Sequence, residues 1–245
     1  MIEITSLFPF WLFNRFYTVG YTAHVKITMP ELGYWKIRGL AQPIRLLLTY
    51  VEEEFQDTMY EQGDAPDYSR EAWTSVKPKF AEQLDFPNLP YYIDGDVKIT
   101  QSNAILKHIA RKHNMDGETI RDKAIVDMLL DQAMDLRNGV VRLCYNKDYD
   151  KLKADYFKNV QAQLAAFEKK LGNNSWFVGE KITVVDFPMY ELLEQHTRMK
   201  PDSLDAYPKL TAFLQRFQKL PNVKEYLTKD SVKNMPINNK VASFR

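Results

Sequence analysis

An extended run that breaks on glycine and turns at once into a helix constrains this chain more than any other stretch. It reads Leu32-Gly33-Tyr34-Trp35-Lys36-Ile37-Arg38-Gly39-Leu40-Ala41-Gln42-Pro43. Alternate side chains of a strand face opposite ways, so Leu32, Tyr34 and Lys36 share one face and Gly33, Trp35 and Ile37 the other. Gly39 ends the strand. Pro43 suits the first turn of a helix, where its missing N–H costs nothing. Ile44, Leu47, Leu48 and Val51 then recur at helical spacing. The pattern places Tyr34 near the C-terminal end of a strand, facing a helix N-terminus. Ligands of open α/β sheets bind there. On these residues alone Tyr34 reads first as a packed side chain with a satisfied hydrogen bond.

The chain has 245 residues, enough for one large domain or two small ones. Hydrophobic residues at 45% and charged residues at 27% are those of a soluble globular protein. A formal net charge of +1 argues against nucleic acid or an anionic membrane as the main partner. One cysteine, Cys144, leaves no intramolecular disulfide and no zinc cluster of cysteines, and a reducing compartment fits. With no CxxC, a dithiol redox mechanism is not expected. Cys144 reads as a small core residue. No uncharged apolar run approaches the length of a membrane span, so no stable membrane insertion is expected.

Residues 30 to about 112 read as β-α-β-α-β-β-α. A second strand is predicted over 55–60, a turn-rich loop over 63–68 and a short helix from near Ser69. Asn88-Leu89-Pro90-Tyr91 enters a third strand. Asp94-Gly95 is a two-residue hairpin signal leading to a fourth strand over 97–99. Ser102 is predicted to cap the next helix, with Ile105, Leu106 and Ile109 on its apolar face. From about 118 the periodicity is helical. One apolar stripe takes in Ile125, Met128/Leu129, Gln132/Ala133, Leu136, Val140 and Leu143. A second long helix is predicted over 152–171, a buried helix opened by Thr183-x-x-Asp186, and shorter ones near 208–219 and 221–228. The composition shift at 113–118 marks the expected domain boundary.

Several further stretches join the first in one resemblance. They are Gly63-Asp64-Ala65-Pro66-Asp67-Tyr68, Asp85-Phe86-Pro87-Asn88-Leu89-Pro90-Tyr91 and Lys98-Ile99-Thr100-Gln101-Ser102-Asn103-Ala104-Ile105-Leu106. Ile109-Ala110-Arg111-Lys112-His113-Asn114 and Lys181-Ile182-Thr183-Val184-Val185-Asp186-Phe187 follow. In this order, over roughly 29–235, the chain resembles the glutathione transferases, and most closely their mu class. The resemblance implies an α/β plus all-α fold. A thioredoxin-like domain over 29–113 would hold a mixed four-stranded sheet, and an all-helical domain over 118–245 would bind the electrophile and dimerise. It also implies a cis Leu89–Pro90 bond, a cytoplasmic homodimer and a role in detoxification. Met29-Pro30 resembles the family's natural start. Residues 1–28, with seven aromatics, are therefore read as an upstream extension, expected to be poorly ordered.

The implied reaction is attack of the glutathione thiolate on an electrophilic carbon of a small apolar acceptor. Glutathione serves as co-substrate, with no metal and no redox cofactor. A free thiol titrates near 8.5, so little of it is thiolate at pH 7. A hydrogen-bond donor aimed at sulfur favours the charged form, and a tyrosine hydroxyl can donate while staying neutral. By resemblance Tyr34 is that donor. Ser102 at a helix N-terminus offers hydroxyl, N–H and dipole to the γ-glutamyl carboxylate, and Gln101 adds an amide. Leu89, before Pro90, would pair its backbone with the cysteinyl peptide group, beside Asn88. Trp35, Arg70, Trp73 and Lys77 resemble contacts to the glycyl end. The mu pattern has two fewer residues between Trp73 and Asp85, so Lys79 competes with Lys77. Asp135 matches an acidic residue that reaches the glutamyl amine of the partner subunit. Leu40, Arg137 and Tyr145 fall at acceptor-pocket positions; Arg137 stands where several mu relatives carry histidine. Phe86 matches an aromatic key inserted into the partner subunit. Two other readings use the same fold: a non-catalytic binder of apolar ligands and a glutathione-dependent isomerase.

Overall fold

The structure is a computed structural model and describes residues 29–245. The expectation for residues 1–28 lies outside the described residues. Four strands, β1 (Glu31–Trp35), β2 (Gln56–Tyr60), β3 (Tyr91–Asp94) and β4 (Val97–Thr100), form one mixed sheet in the order β2-β1-β3-β4. β1 lies parallel to β2, with Trp35 opposite Tyr60, and antiparallel to β3, with Leu32 opposite Tyr92. A parallel pair needs a crossover, and helix α1 (Gln42–Tyr50) supplies it. Asp94 pairs with Val97. The hairpin loop is therefore Gly95-Asp96, one residue later than predicted, and Gly95 supplies the φ of +59° that a tight turn requires. The Leu89–Pro90 bond is cis.

The alternation in β1 decides what covers each face. Leu32 and Tyr34 point toward α1 and α3 (Ser102–Lys112), where Ile44, Leu47, Ile105 and Ile109 are fully enclosed. Gly33 points the other way, and the Tyr91 ring lies across it so closely that a Cβ would come within 2.1 Å. Tyr91 stacks there on Trp73 of the short helix α2 (Glu71–Thr74), with Leu84 completing a second, smaller core. After Trp73 the chain passes through a 3-10 helix, Lys77–Glu82.

Beyond α3 the fold is helical: α4 (Ile120–Cys144), α5 (Tyr149–Asn159), α6 (Gln161–Leu171), α7 (Asp186–Met199), α8 (Pro208–Phe217), α9 (Pro221–Thr228) and a one-turn α10 (Asp230–Lys233). Three predicted details are corrected. The single helix expected over 152–171 is two, interrupted at Val160. There Gln161 Nε2 donates to the Phe157 carbonyl at 2.8 Å, and Tyr207 Oη donates to the Gln161 carbonyl. The Gln161 side chain thus takes the Phe157 carbonyl that its own backbone N–H would use in a continuous helix. On α4 the buried stripe runs through Val126, Leu129, Leu130, Ala133, Leu136, Val140 and Leu143, while Met128 and Gln132 are exposed and Ile125 is half-buried. Ser102 does not cap α3. Gln101 holds the capping position at a φ of +73°, and Ser102 is already the first helical residue.

The Thr183-x-x-Asp186 signal is realised as a buried cradle. Asp186 accepts from the Thr183 N–H at 2.8 Å, the Thr183 hydroxyl at 3.2 Å and the Phe177 N–H at 3.0 Å. Burial pushes its carboxyl up to about 7, against these hydrogen bonds, which pull it down. Orphaning a buried donor costs about 1–3 kcal/mol. Asp186→Ala leaves two buried N–H groups without their acceptor, so urea unfolding should show a loss of about 2–4 kcal/mol. A loss below about 0.5 kcal/mol, the range of an ordinary surface substitution, would mean the cradle is replaced by water.

Candidate active site

The segment between β1 and α1 is fixed from three directions. Its backbone is held by the C-terminal segment: the Arg38 N–H donates to the Pro236 carbonyl at 2.8 Å and the Gly39 N–H to the Ile237 carbonyl at 3.1 Å. The Arg38 side chain, 4% exposed, donates from Nε and Nη2 to Glu191 of α7 at 3.0 and 2.6 Å, and from Nη2 to Glu194 at 2.6 Å. Burial alone would lower the Arg38 pKa; the two carboxylates more than reverse that and hold it charged. Third, the Leu40 N–H donates to Tyr34 Oη at 3.2 Å. Gly39 makes this approach possible. It has a φ of +43°, and a Cβ would stand 2.7 Å from Tyr34 Cε1 and 2.8 Å from Tyr34 Oη. With its oxygen accepting from Leu40, the Tyr34 hydroxyl keeps its own proton to give elsewhere.

The cleft beside this loop is lined by Gly39, Leu40, Pro43, Ser102, Leu130, Arg137 and Glu191, among others. Ser102 is 5% exposed at the N-terminus of α3, whose unpaired N–H groups and dipole favour an anion. Gln101, beside it, is exposed and held in a backbone region that L-residues rarely adopt, a condition that clusters at ligand-binding positions. Leu130, Ala133, Arg137 and Cys144 fall on one face of α4 and bring Arg137 opposite Leu40. Burial pushes the Arg137 guanidinium below its ordinary range, with the Tyr34 and Tyr145 hydroxyls among the groups that oppose the shift. Tyr145 closes α4, and its Oη accepts from the Asn239 N–H at 2.9 Å; burial pushes its pKa up. Cys144 is buried, its thiol pushed up to about 11, which suits the core role expected of it. A roomier hollow of about 430 Å³ lies between β2 and residues 229–245, but neither Gly39 nor Leu40, the residues that abut Tyr34, lines it.

The structure thus gathers Gly39, Leu40, Ser102 and Arg137 into one cleft; Tyr34, buried, does not line it but lies behind its wall, against Gly39 and Leu40. Trp35 and Leu89 are half-buried and touch both cores. Pro90 is buried and Asn88 exposed. Trp73 is a core aromatic, 5% exposed, 5.2 Å from the Tyr60 ring centroid and 6.0 Å from that of Tyr91. Arg70, Lys77 and Lys79 are all exposed on that second cluster's rim and do not line the cleft. Asp135 is exposed on α4 and away from the cleft of its own chain. Phe86 is 78% exposed, which excludes packing within the chain beside Pro87; only its carbonyl is engaged, by Thr100 Oγ1 at 3.1 Å.

Sequence reasoning missed Arg38, Glu191, Glu194 and Asn239. Glu191 and Glu194 lie three apart, hence on one helix face, which was a legible signal. Their partner is 153 residues away, which was not.

Two family models match the chain: the glutathione S-transferase N-terminal domain over residues 30–111 and the glutathione S-transferase C-terminal domain over residues 134–230. The chain is 51% identical to human glutathione S-transferase Mu 3, over 87% of this chain and 94% of that one. It is 49% identical to rat glutathione S-transferase Mu 5 over the same shares. Among solved structures, the pi-class glutathione S-transferase of Onchocerca volvulus superimposes with a TM-score of 0.78 at 34% identity, covering 88% of this chain and all of that one. The chain belongs to the glutathione S-transferase family, with mu-class members as relatives at about half identity.

Proposed function

We propose that this transferase uses Tyr34 to hold the glutathione thiolate and directs it at an electrophilic carbon of a small, largely apolar acceptor. The observation that carries the reading is the Leu40 N–H···Oη contact at 3.2 Å over Gly39, which orients the phenol and leaves its proton to donate. A donor aimed at sulfur stabilises the thiolate selectively; each unit by which the thiol pKa falls represents about 1.4 kcal/mol. Ser102 and the first N–H groups of α3 receive the γ-glutamyl carboxylate, with Gln101 beside them. Leu89 offers its backbone to the cysteinyl peptide group. Arg70 and Lys77 or Lys79 are exposed cations within reach of a glycyl carboxylate, with Trp35 and Trp73 as the apolar wall beside them. Leu40 and Tyr145 bound the acceptor side. The reaction requires glutathione and the acceptor, with no metal or redox cofactor. Detoxification in the cytoplasm is the role this chemistry suits. Among the described residues no helix is long and apolar enough to cross a membrane.

The working unit in this reading is a homodimer. A phenylalanine that is 78% exposed next to a chain turn is an unpartnered anchor, and aromatic anchors of this kind carry a large share of interface energy. Asp135, remote from its own cleft, would then serve the glutathione amine of the partner subunit.

Two measurements test these points. Tyr34→Phe keeps the ring and removes the donor; kcat/KM with 1-chloro-2,4-dinitrobenzene should fall about 10²–10³-fold, as for other lost oxyanion-type donors, while glutathione affinity changes far less. The thiolate pKa read from the pH profile should rise; an unchanged profile would sink the assignment of Tyr34. Sedimentation should show the wild-type chain as a dimer at micromolar concentration and Phe86→Ala weakened by about 2–4 kcal/mol. A monomeric wild type would refute the dimer.

A further inference from the structure

Arg137 is a cation with no direct partner, although the carboxylate of Glu191 acts on it from a distance. Among the described residues it forms no ion pair and no side-chain hydrogen bond, whereas the two fully buried guanidiniums do: Arg38 has Glu191 and Glu194, and Arg45 has Asp57. The carboxylate nearest in the cleft, Glu191, is already committed, with Oε1 accepting from Arg38 Nε at 3.0 Å and from Gln195 Nε2 at 2.7 Å and Oε2 from Arg38 Nη2 at 2.6 Å. Arg137 is half-buried where it lines the cleft, so its N–H donors are open to solvent and to whatever enters the cleft. Arginine does not escape by losing its proton. Arg137 also stands opposite Leu40, on the acceptor side of the loop that carries Tyr34's hydrogen bond, and it is the guanidinium among the cleft-lining residues.

We infer that Arg137 selects acceptors that carry a carboxylate or similar anionic substituent, which it pairs with as the electrophilic carbon comes up to the thiolate. The inference rests on the glutathione-conjugating reading above and narrows its acceptor class. A guanidinium presents two parallel N–H donors that match a carboxylate, and a site built around such a pair discriminates strongly against an analogue that lacks the charge. For an aryl chloride the chemistry balances simply. The thiolate lone pair forms the C–S bond, the C–Cl bond breaks, chloride leaves with the bonding pair, and the proton lost by the thiol goes to solvent. Arg137 takes no proton in this sequence and holds the substituent only.

The test compares 4-chloro-3,5-dinitrobenzoate with its neutral amide, each enzymic kcat/KM divided by the uncatalysed second-order rate with glutathione. The wild-type protein should favour the acid by about tenfold or more, the range of one charge-assisted hydrogen bond, and added salt should reduce the preference. Arg137→Gln should bring the acid-to-amide ratio to within about threefold of unity, and Arg137→Lys should retain part of it. A wild-type ratio near unity, or a loss in Arg137→Gln that is equal for both acceptors, would overturn the inference. An equal loss joined to a shifted thiolate pH profile would instead assign Arg137 to the sulfur. If Arg137→Gln does not fold, the wild-type ratio, its salt dependence and the lysine variant still decide the matter. A wild-type chain that turns over neither acceptor with glutathione fails the functional reading itself, which a skewed or level ratio does not.

Discussion

The cleft depends on one buried guanidinium. Arg38 leaves the end of β1, enters the helical half and meets two carboxylates of α7. A buried charge pair gains little against a well-packed apolar substitute, but removing one partner leaves an uncompensated charge and costs about 3–5 kcal/mol. The value of the arrangement is therefore positional. Arg38 immediately precedes Gly39 and Leu40, so the same pair that joins the sheet to the helices fixes the two residues that abut Tyr34. Gln195, one turn on from Glu191 in α7, shares that carboxylate and fixes its orientation.

The site is assembled from parts that are far apart in the chain, and each contributes a different physical property. β1 and its following loop contribute the phenol and the N–H that orients it. The start of α3 contributes a helix terminus that favours anions. α4 contributes an apolar face interrupted by one guanidinium. The C-terminal segment contributes carbonyl acceptors to the loop at Pro236 and Ile237, an N–H to Tyr145, and a further N–H, from Lys240, to Gln62 Oε1 at 3.0 Å. That last segment has little regular structure of its own after α10, yet it is tied to both halves of the fold. Its placement is set by the groups it satisfies, since backbone N–H and C=O groups must be paired wherever they are enclosed.

The second core explains why several residues assigned to glutathione stand apart from Tyr34. Trp73, Phe80 and Tyr91 fill the face of the sheet that Gly33 leaves open. Tyr91 also donates to Glu31 Oε1 at 2.6 Å, which accepts from Thr58 at 2.8 Å, so the three strands that meet there are joined by side chains as well as by the ladder. Arg70 and the lysines are carried on the short helices that cover this core. Trp35 and Leu89 touch both clusters and connect the two regions. A ligand spanning from Ser102 to Arg70 would cross them.

Local chemistry in the sequence determined the elements around Tyr34, while the role proposed for Tyr34 came from resemblance. The alternation of Leu32, Gly33, Tyr34 and Trp35, the break at Gly39 and the proline at position 43 determined a strand, a turn and a helix, because strand periodicity and proline's fixed φ act within a few residues. The hairpin after Asp94 and the Thr183–Asp186 cradle were legible for the same reason. Tertiary structure decided what local periodicity does not carry. It split the helix at Val160, where Gln161 and Tyr207 supply competing hydrogen bonds. It placed Trp73 in a core and left Phe86 in the open: both rings favour burial, and only the fold decides which of them finds a surface within the chain to cover it. It paired Arg38 with Glu191 and Glu194 and gave Arg137 no such partner. Charges are spread along the sequence without regard to distance in the chain, and only folding determines which of them are neutralised.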